Sequence, residues 1–177
     1  QLLEANEERV LAALRAQDLA HTVRAELDAL ARSSQRDPLT GTANRALLLD
    51  RLDAAVAMAQ RHGKQVAVLF IDLDQFKAMN DGHGHAMGDR VLQWVALQLE
   101  RVVRVTDTVC RDGGDEFLVL LPEITHRHDA ALIGTTMLAA VGALGHGLGL
   151  QRPLSASLGI AIFPADGASA TALISLA

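Results

Sequence analysis

Two groups of carboxylates in this chain have the types and spacing to do chemistry. Asp72 and Asp74 flank Leu73 at the end of an apolar run over 66–71, and Asp112, Asp115 and Glu116 surround the pair Gly113-Gly114. Residues two apart on a strand face the same way, so Asp72 and Asp74 bring two negative charges together. Such charges repel unless a cation or a proton offsets them. If the strand that begins near Glu116 pairs beside the 66–71 strand, Asp72 and Asp115 can share a hard cation, and oxygen-only ligands select Mg²⁺ or Mn²⁺ over zinc. Two glycines at a hairpin tip permit positive φ and let a ligand approach the backbone. They also suit an ordinary type I′ turn, and turn aspartates often do no more than cap the backbone. On residue types alone both readings stand.

The elements that must position these groups follow from periodicity. Residues 43–62 read as a helix with Leu48, Leu52, Val56 and Ala59 on one face and Gly63 as its C-cap. The 66–71 run has the length of a buried strand. A second amphipathic helix is expected over 88–105, through Leu92, Val95, Leu99 and Val102, and a third over 127–144. Strands at 108–111 and 116–121 flank the hairpin, a Gly-rich loop is expected from Gly142 to Gly149, and a last strand lies at 155–163. The order α-β-α-β-β-α-β predicts an α/β fold whose mixed central sheet is of the split-βαβ kind, flanked by helices. A long N-terminal helix over 1–35 precedes it, free of Gly and Pro and rich in Ala, Leu, Glu and Arg. At 1.5 Å per residue it would run roughly 50 Å. Its heptads slip between Leu14 and Leu19, which leaves a solvated leader and a dimerising stalk both open.

Composition narrows the function classes. Half of the 177 residues are hydrophobic and 21% are charged, which excludes a disordered chain. With four Phe, one Trp and no Tyr, the core must be aliphatic. The 16 Lys and Arg against 21 Asp and Glu leave a net charge of −5, which argues against a basic groove for duplex nucleic acid. Cys110 is the single cysteine and has no intrachain partner, so a reducing cytoplasmic setting is expected. No apolar run approaches the ~20 residues of a membrane span. The chain starts at Gln1 and stops inside an apolar helical phrase at 171–177, so it reads as a fragment of a larger protein, one that membrane anchoring elsewhere would not contradict.

Arg111-Asp112-Gly113-Gly114-Asp115-Glu116-Phe117 resembles the motif that names the GGDEF family, the diguanylate cyclases of bacteria. Further phrases resemble the family in order and spacing. They are Asp37-Pro38-Leu39-Thr40-Gly41 with Asn44-Arg45, then Phe70-Ile71-Asp72-Leu73-Asp74-Gln75-Phe76-Lys77 with the loop residues Asn80-Asp81, then Gly84-His85-Ala86-Met87-Gly88-Asp89, and finally Ser157-Leu158-Gly159-Ile160-Ala161. The resemblance covers about residues 36–177 and implies a nucleotidyl-cyclase or palm-like fold. It implies a transferase that condenses two GTP into cyclic di-GMP and two pyrophosphates, acting as a Mg²⁺- or Mn²⁺-dependent homodimer under an upstream sensory domain in bacterial signalling.

Carried over by position, Asp72, the Leu73 carbonyl and Asp115 hold the metal. Asp115 is the candidate for accepting the 3′-hydroxyl proton, Lys77 stabilises the transferring phosphoryl group, and Asn80, His85 and Asp89 bind the guanine nucleotide. Glu116 belongs to the catalytic group, with Asp74 and Glu116 read as support rather than ligands. Arg104-Val105-Thr106-Asp107 resembles the family's RxxD site, at which product cyclic di-GMP inhibits. The alternative is a catalytically silent GGDEF domain that senses GTP or cyclic di-GMP. Two departures stand out: Thr42 replaces a leucine-like residue, and the closing segment, with its triphosphate-gripping lysine and arginine, has no counterpart before Ala177.

Overall fold

In a computed structural model of the chain, residues 35–147 and 153–177 are described; the expected helix over 1–35 lies, apart from Gln35, outside them. The elements run α1 (Arg45–His62), β1 (Gln65–Leu73), α2 (Phe76–His83), α3 (His85–Val102), β2 (Thr108–Gly113), β3 (Glu116–Ile124), α4 (Arg127–Gly147), β4 (Ala156–Phe163) and α5 (Ala170–Leu176). Local chemistry sets several boundaries. Asn44 caps α1 by accepting the Leu47 N–H at 3.1 Å, and Gly63 closes it at φ 64°. Ser169 caps α5 through the Ala172 N–H.

The sheet order is β2-β3-β1-β4. β1 pairs antiparallel with β3 and with β4, and β2 pairs antiparallel with β3. β1 and β2 therefore run the same way with β3 between them, which is the split-βαβ connectivity expected. Neighbouring strands are antiparallel throughout, and the parallel component among the described residues is a single bridge, Ala43 to Cys110, at the β2 edge.

β1 is apolar without interruption because both of its faces are covered. Ala67, Leu69, Ile71 and Leu73 enter a core with Val91, Val95 and Leu99 of α3 and Met137 and Val141 of α4. Val66 and Val68 enter a second core with Leu48, Leu52 and Val56 of α1 and Leu173 of α5. The result is three layers with the sheet in the middle.

Three elements depart from the sequence expectation. The stretch after β1, read as a loop, holds the two-turn helix α2, which Gln75 opens in the left-handed conformation at φ 58° and Phe76 pins to the core. α3 starts at His85 rather than 88. α4 continues to Gly147 through the stretch read as a Gly-rich loop, because Val141 and Leu144 are buried and packing outweighs the poor helix propensity of glycine.

Phe117, the second residue of β3, is fully buried against the α3/α4 side of the sheet. Phe117→Ala is expected to cost about 3–5 kcal/mol of stability, read as a lowered urea midpoint.

Candidate active site

The register of β1 against β3 assembles an acid corner. Ile71 lies opposite Phe117 and Asp72 opposite Glu116. Gly113 pairs with Glu116 across a two-residue turn, Gly114-Asp115. Gly113 at φ 153° and Gly114 at φ 52° take conformations that other residues rarely adopt. The Leu73 N–H reaches the Asp115 carbonyl at 3.4 Å, so the exit of β1 runs beside the hairpin tip.

The electrostatics follow from this neighbourhood. Partial desolvation, then the charges of Asp115 and Asp74, push the Asp72 carboxyl above the ordinary aspartate range. Asp74 goes the other way. Hydroxyl donors from Ser155 at 2.7 Å and Ser157 at 2.8 Å hold it below that range. Its oxygens are engaged by β4 and the residue before it, which suits support rather than ligation. Glu116 is exposed and is the cross-strand partner of Asp72.

No group of three or more His, Cys, Asp or Glu side chains able to hold a metal ion occurs among the described residues. Asp72, Asp115 and the Leu73 carbonyl amount to two carboxylates and one backbone oxygen. That donor set fits Mg²⁺, which binds through one or two carboxylates and completes its shell with water and substrate phosphates. Asp72 faces the like charges of Asp115 and Asp74 there, and a bound cation would offset them.

The hairpin is clamped from below. Arg111 donates from Nε and Nη2 to the Gly114 carbonyl at 3.0 and 2.7 Å, and from Nη1 to both Asp37 oxygens at 3.3 Å. Asp37 also accepts from the Thr40 N–H at 2.8 Å and the Thr40 hydroxyl at 2.7 Å. Burial works against the Asp37 charge, but the Thr40 hydrogen bonds and Arg111 outweigh it, so the carboxyl sits below the ordinary range. Arg45, the first residue of α1, pairs with Asp112, and Ala43 bonds to β2 through Val109 and Arg111. Sequence reasoning quoted Asp37, Arg45 and Arg111 as motif letters and missed the clamp, because its partners stand as many as 74 positions apart.

A second cluster lies between α2 and α3. Lys77 and Asn80 are three apart on α2 and so share a face; Lys77 is exposed and Asn80 half-buried. His85 is exposed at the start of α3 and Asp89 is exposed one turn on. Asn80 packs against the buried Gly88, beside Asp89 in sequence. The structure thus brings Asp72 to Asp115 and Asn80 to the turn that carries Asp89, while Lys77 and His85 stand exposed on the same two helices.

Arg104 and Asp107 form a turn between α3 and β2. The Arg104 N–H donates to Asp107 Oδ2 at 2.8 Å and the Asp107 N–H to the Arg104 carbonyl at 3.0 Å. The turn borders a cleft of about 320 Å³ whose lining includes Arg36, Arg51 and Glu100. It sits at the start of β2 and the hairpin at its end, a separation of roughly 17 Å at 3.3 Å per residue.

The family profile for the diguanylate cyclase GGDEF domain matches residues 34–177. The chain belongs to the GGDEF family. Among its relatives are two proteins of Pseudomonas aeruginosa. The bifunctional diguanylate cyclase/cyclic di-GMP phosphodiesterase MucR is 44% identical over 131 residues, covering 74% of this chain and 19% of MucR. The diguanylate cyclase TpbB is 40% identical over 148 residues, covering 82% of this chain and 34% of TpbB. The chain therefore spans about a fifth to a third of these curated relatives. The crystal structure of the coiled coil and GGDEF domain of DgcB from Caulobacter crescentus, in complex with c-di-GMP, superposes with a TM-score of 0.79 at 27% identity, covering 99% of this chain and 90% of that one. No helix among the described residues of this GGDEF domain is long and apolar enough to cross a membrane.

Because the folded-state carboxyl of Asp37 is depressed, its stabilising contribution is present above the ordinary aspartate value of about 3.9 and is lost as pH falls through the folded-state value. Asp37→Asn is expected to cost about 1–2 kcal/mol at pH 7, with the difference from the unsubstituted protein shrinking below about pH 4. Melting curves across that range check it.

Proposed function

We propose that this GGDEF domain is a diguanylate cyclase that condenses two GTP into cyclic di-GMP with release of two pyrophosphates. The observation that carries the reading is the acid corner, where Asp72 and Asp115 lie close enough for one carboxylate to perturb the other. The names of TpbB and MucR, and the c-di-GMP bound to DgcB, support the substrate and product class.

In the reaction, the 3′-hydroxyl oxygen of one GTP bonds to the α-phosphorus of the other, pyrophosphate departs, and the hydroxyl proton passes to Asp115. A reciprocal second step closes the ring. Asp72, Asp115 and the Leu73 carbonyl would hold Mg²⁺ or Mn²⁺, which when bound neutralises phosphate charge and lowers the pKa of the attacking hydroxyl. Lys77 offsets charge on the transferring phosphoryl group. Asn80 and Asp89 hydrogen-bond the guanine edge, with His85 beside the nucleotide, while Glu116 and Asp74 support the acids. Each chain holds one GTP, so two copies must face each other and catalysis is chiefly positioning. Residues 1–35 would serve as the stalk that sets this encounter under an upstream sensory domain, with 36–177 as the cyclase domain. Arg104, whose planar fork suits phosphate and guanine, and Asp107 would bind the product and restrain the enzyme.

Incubation of the full chain with GTP and Mg²⁺, followed by mass detection of cyclic di-GMP, tests the reading. Asp115→Ala is expected to lower synthesis by at least about 100-fold while leaving the unfolding free energy, read by urea titration, within about 0.5 kcal/mol of that of the unsubstituted protein. Synthesis at the unsubstituted level would overturn the site, and GTP binding without turnover would favour a silent sensing domain. Arg104→Ala is expected to keep its initial rate and lose inhibition by added cyclic di-GMP; unchanged inhibition would remove the RxxD assignment.

A further inference from the structure

Gly88 lies in the first turn of α3, is buried, and occupies a helical position where glycine is among the poorest choices. A Cβ there would stand 1.8 Å from Asn80 Oδ1, 2.9 Å from its Cγ and 3.2 Å from its Nδ2. The missing side chain is a seat for the Asn80 carboxamide. Asn80 Oδ1 is buried in that seat without a hydrogen-bond partner. An unpaired buried oxygen is costly, yet this one faces the start of a helix, where the positive end of the dipole favours an oxygen over an amino group. Asn80 belongs to α2, and its backbone is fixed by the Gly84 N–H bonding to its carbonyl at 2.8 Å.

We propose that Gly88 is a positioning residue that fixes which end of the Asn80 carboxamide meets the base, and so sets the preference for guanine over adenine. This rests on the assignment of Asn80 and Asp89 to the nucleotide base made above. Oδ1 sits deepest in the seat and Nδ2 further from it, which leaves Nδ2 as the end to offer a ligand, as a donor. Asp89, exposed on the same turn, is an acceptor. A donor beside an acceptor complements guanine, with its O6 acceptor and its N1–H and N2 amino donors. On adenine the N6 amino group would meet the Asn80 donor and the N1 lone pair would meet the Asp89 carboxylate, a mismatch at both contacts. A carboxamide without its seat can rotate and present either end, and it loses that discrimination.

The test measures dissociation constants of the full chain for the α,β-methylene analogues of GTP and ATP with Mg²⁺, which cannot react at the bond the cyclase breaks. Gly88→Ala is expected to weaken the GTP analogue and to lower the GTP-to-ATP discrimination by about tenfold or more. Its melting temperature should change little, because the better helix propensity of alanine offsets the rotation of the Asn80 carboxamide that the overlap requires. Asn80→Ala should show a similar loss, and the double variant should be no worse than either single one. If Gly88→Ala does lower the melting temperature, the same change in the Asn80→Ala background should not, since the overlap is gone; a loss there too would overturn the seat. Unchanged discrimination in Gly88→Ala beside a clear loss in Asn80→Ala would overturn the inference and leave the cyclase reading intact. No effect from either would remove Asn80 from the base and the inference with it, while the Asp115→Ala assay would still decide the cyclase reading.

Discussion

The pairing of β1 with β3 in the register that sets Asp72 opposite Glu116 governs the rest of the molecule. Strand side chains alternate, so a slip of one residue would turn Asp72 into the α3/α4 core and drive Leu73 out of it. Two hydrophobic layers forbid that slip. Odd-numbered residues of β1 fill one core and even-numbered residues fill the other, and both are closed by helices. The structure can therefore hold Asp72 near Asp115 and Asp74, where desolvation and then the two like charges raise its carboxyl. Burial of aliphatic side chains stabilises what the acids oppose.

The hairpin is held by a different kind of force. Glycines at its tip give up backbone rigidity, and directed polar contacts restore it. Arg111 spans the Gly114 carbonyl and Asp37, while Arg45 takes Asp112. These contacts join the hairpin to the segment that enters the domain, so the position of residues 37–45 and that of the turn carrying Asp115 are coupled through side chains rather than through the sheet alone. Asp74 is handled similarly from the other edge, by Ser155 and Ser157. The acid corner is thus braced on both sides by hydrogen bonds in which the donor or the acceptor is charged, the stronger class of such bonds.

β2 also separates two potential ligand regions. Its end carries the hairpin and its beginning follows the Arg104-Asp107 turn. A single short strand, covered along part of its edge by Ala43, therefore links a metal-suited corner to a cleft bordered by arginines. The charged side chains of the two regions, Asp72 and Asp115 at one and Arg104 and Asp107 at the other, are not members of the apolar cores, so they do not compete with the packing that sets the fold.

Much was legible in the linear chain. The apolar run of β1, the periodic faces of α1 and α3, and the Gly-Gly turn between two strands all announce themselves through local patterns, and so does the split-βαβ order. Proximity in sequence also shows the shared placement of Asp72 with Asp74 and of Arg104 with Asp107. Other features needed the fold. α2 is two turns long, its good helix formers Lys77, Ala78 and Met79 followed by Asn80, Asp81 and Gly82, and Phe76 anchors it, while α4 runs through glycines because Val141 and Leu144 are buried; neither has a local signal strong enough to read. The Arg111–Asp37 clamp, the seating of Asn80 on Gly88 and the approach of Asp115 to the exit of β1 depend on side chains meeting across separate elements. Periodicity reports only which face of an element is apolar. Which faces meet, and at what register, is decided when the two cores close around β1.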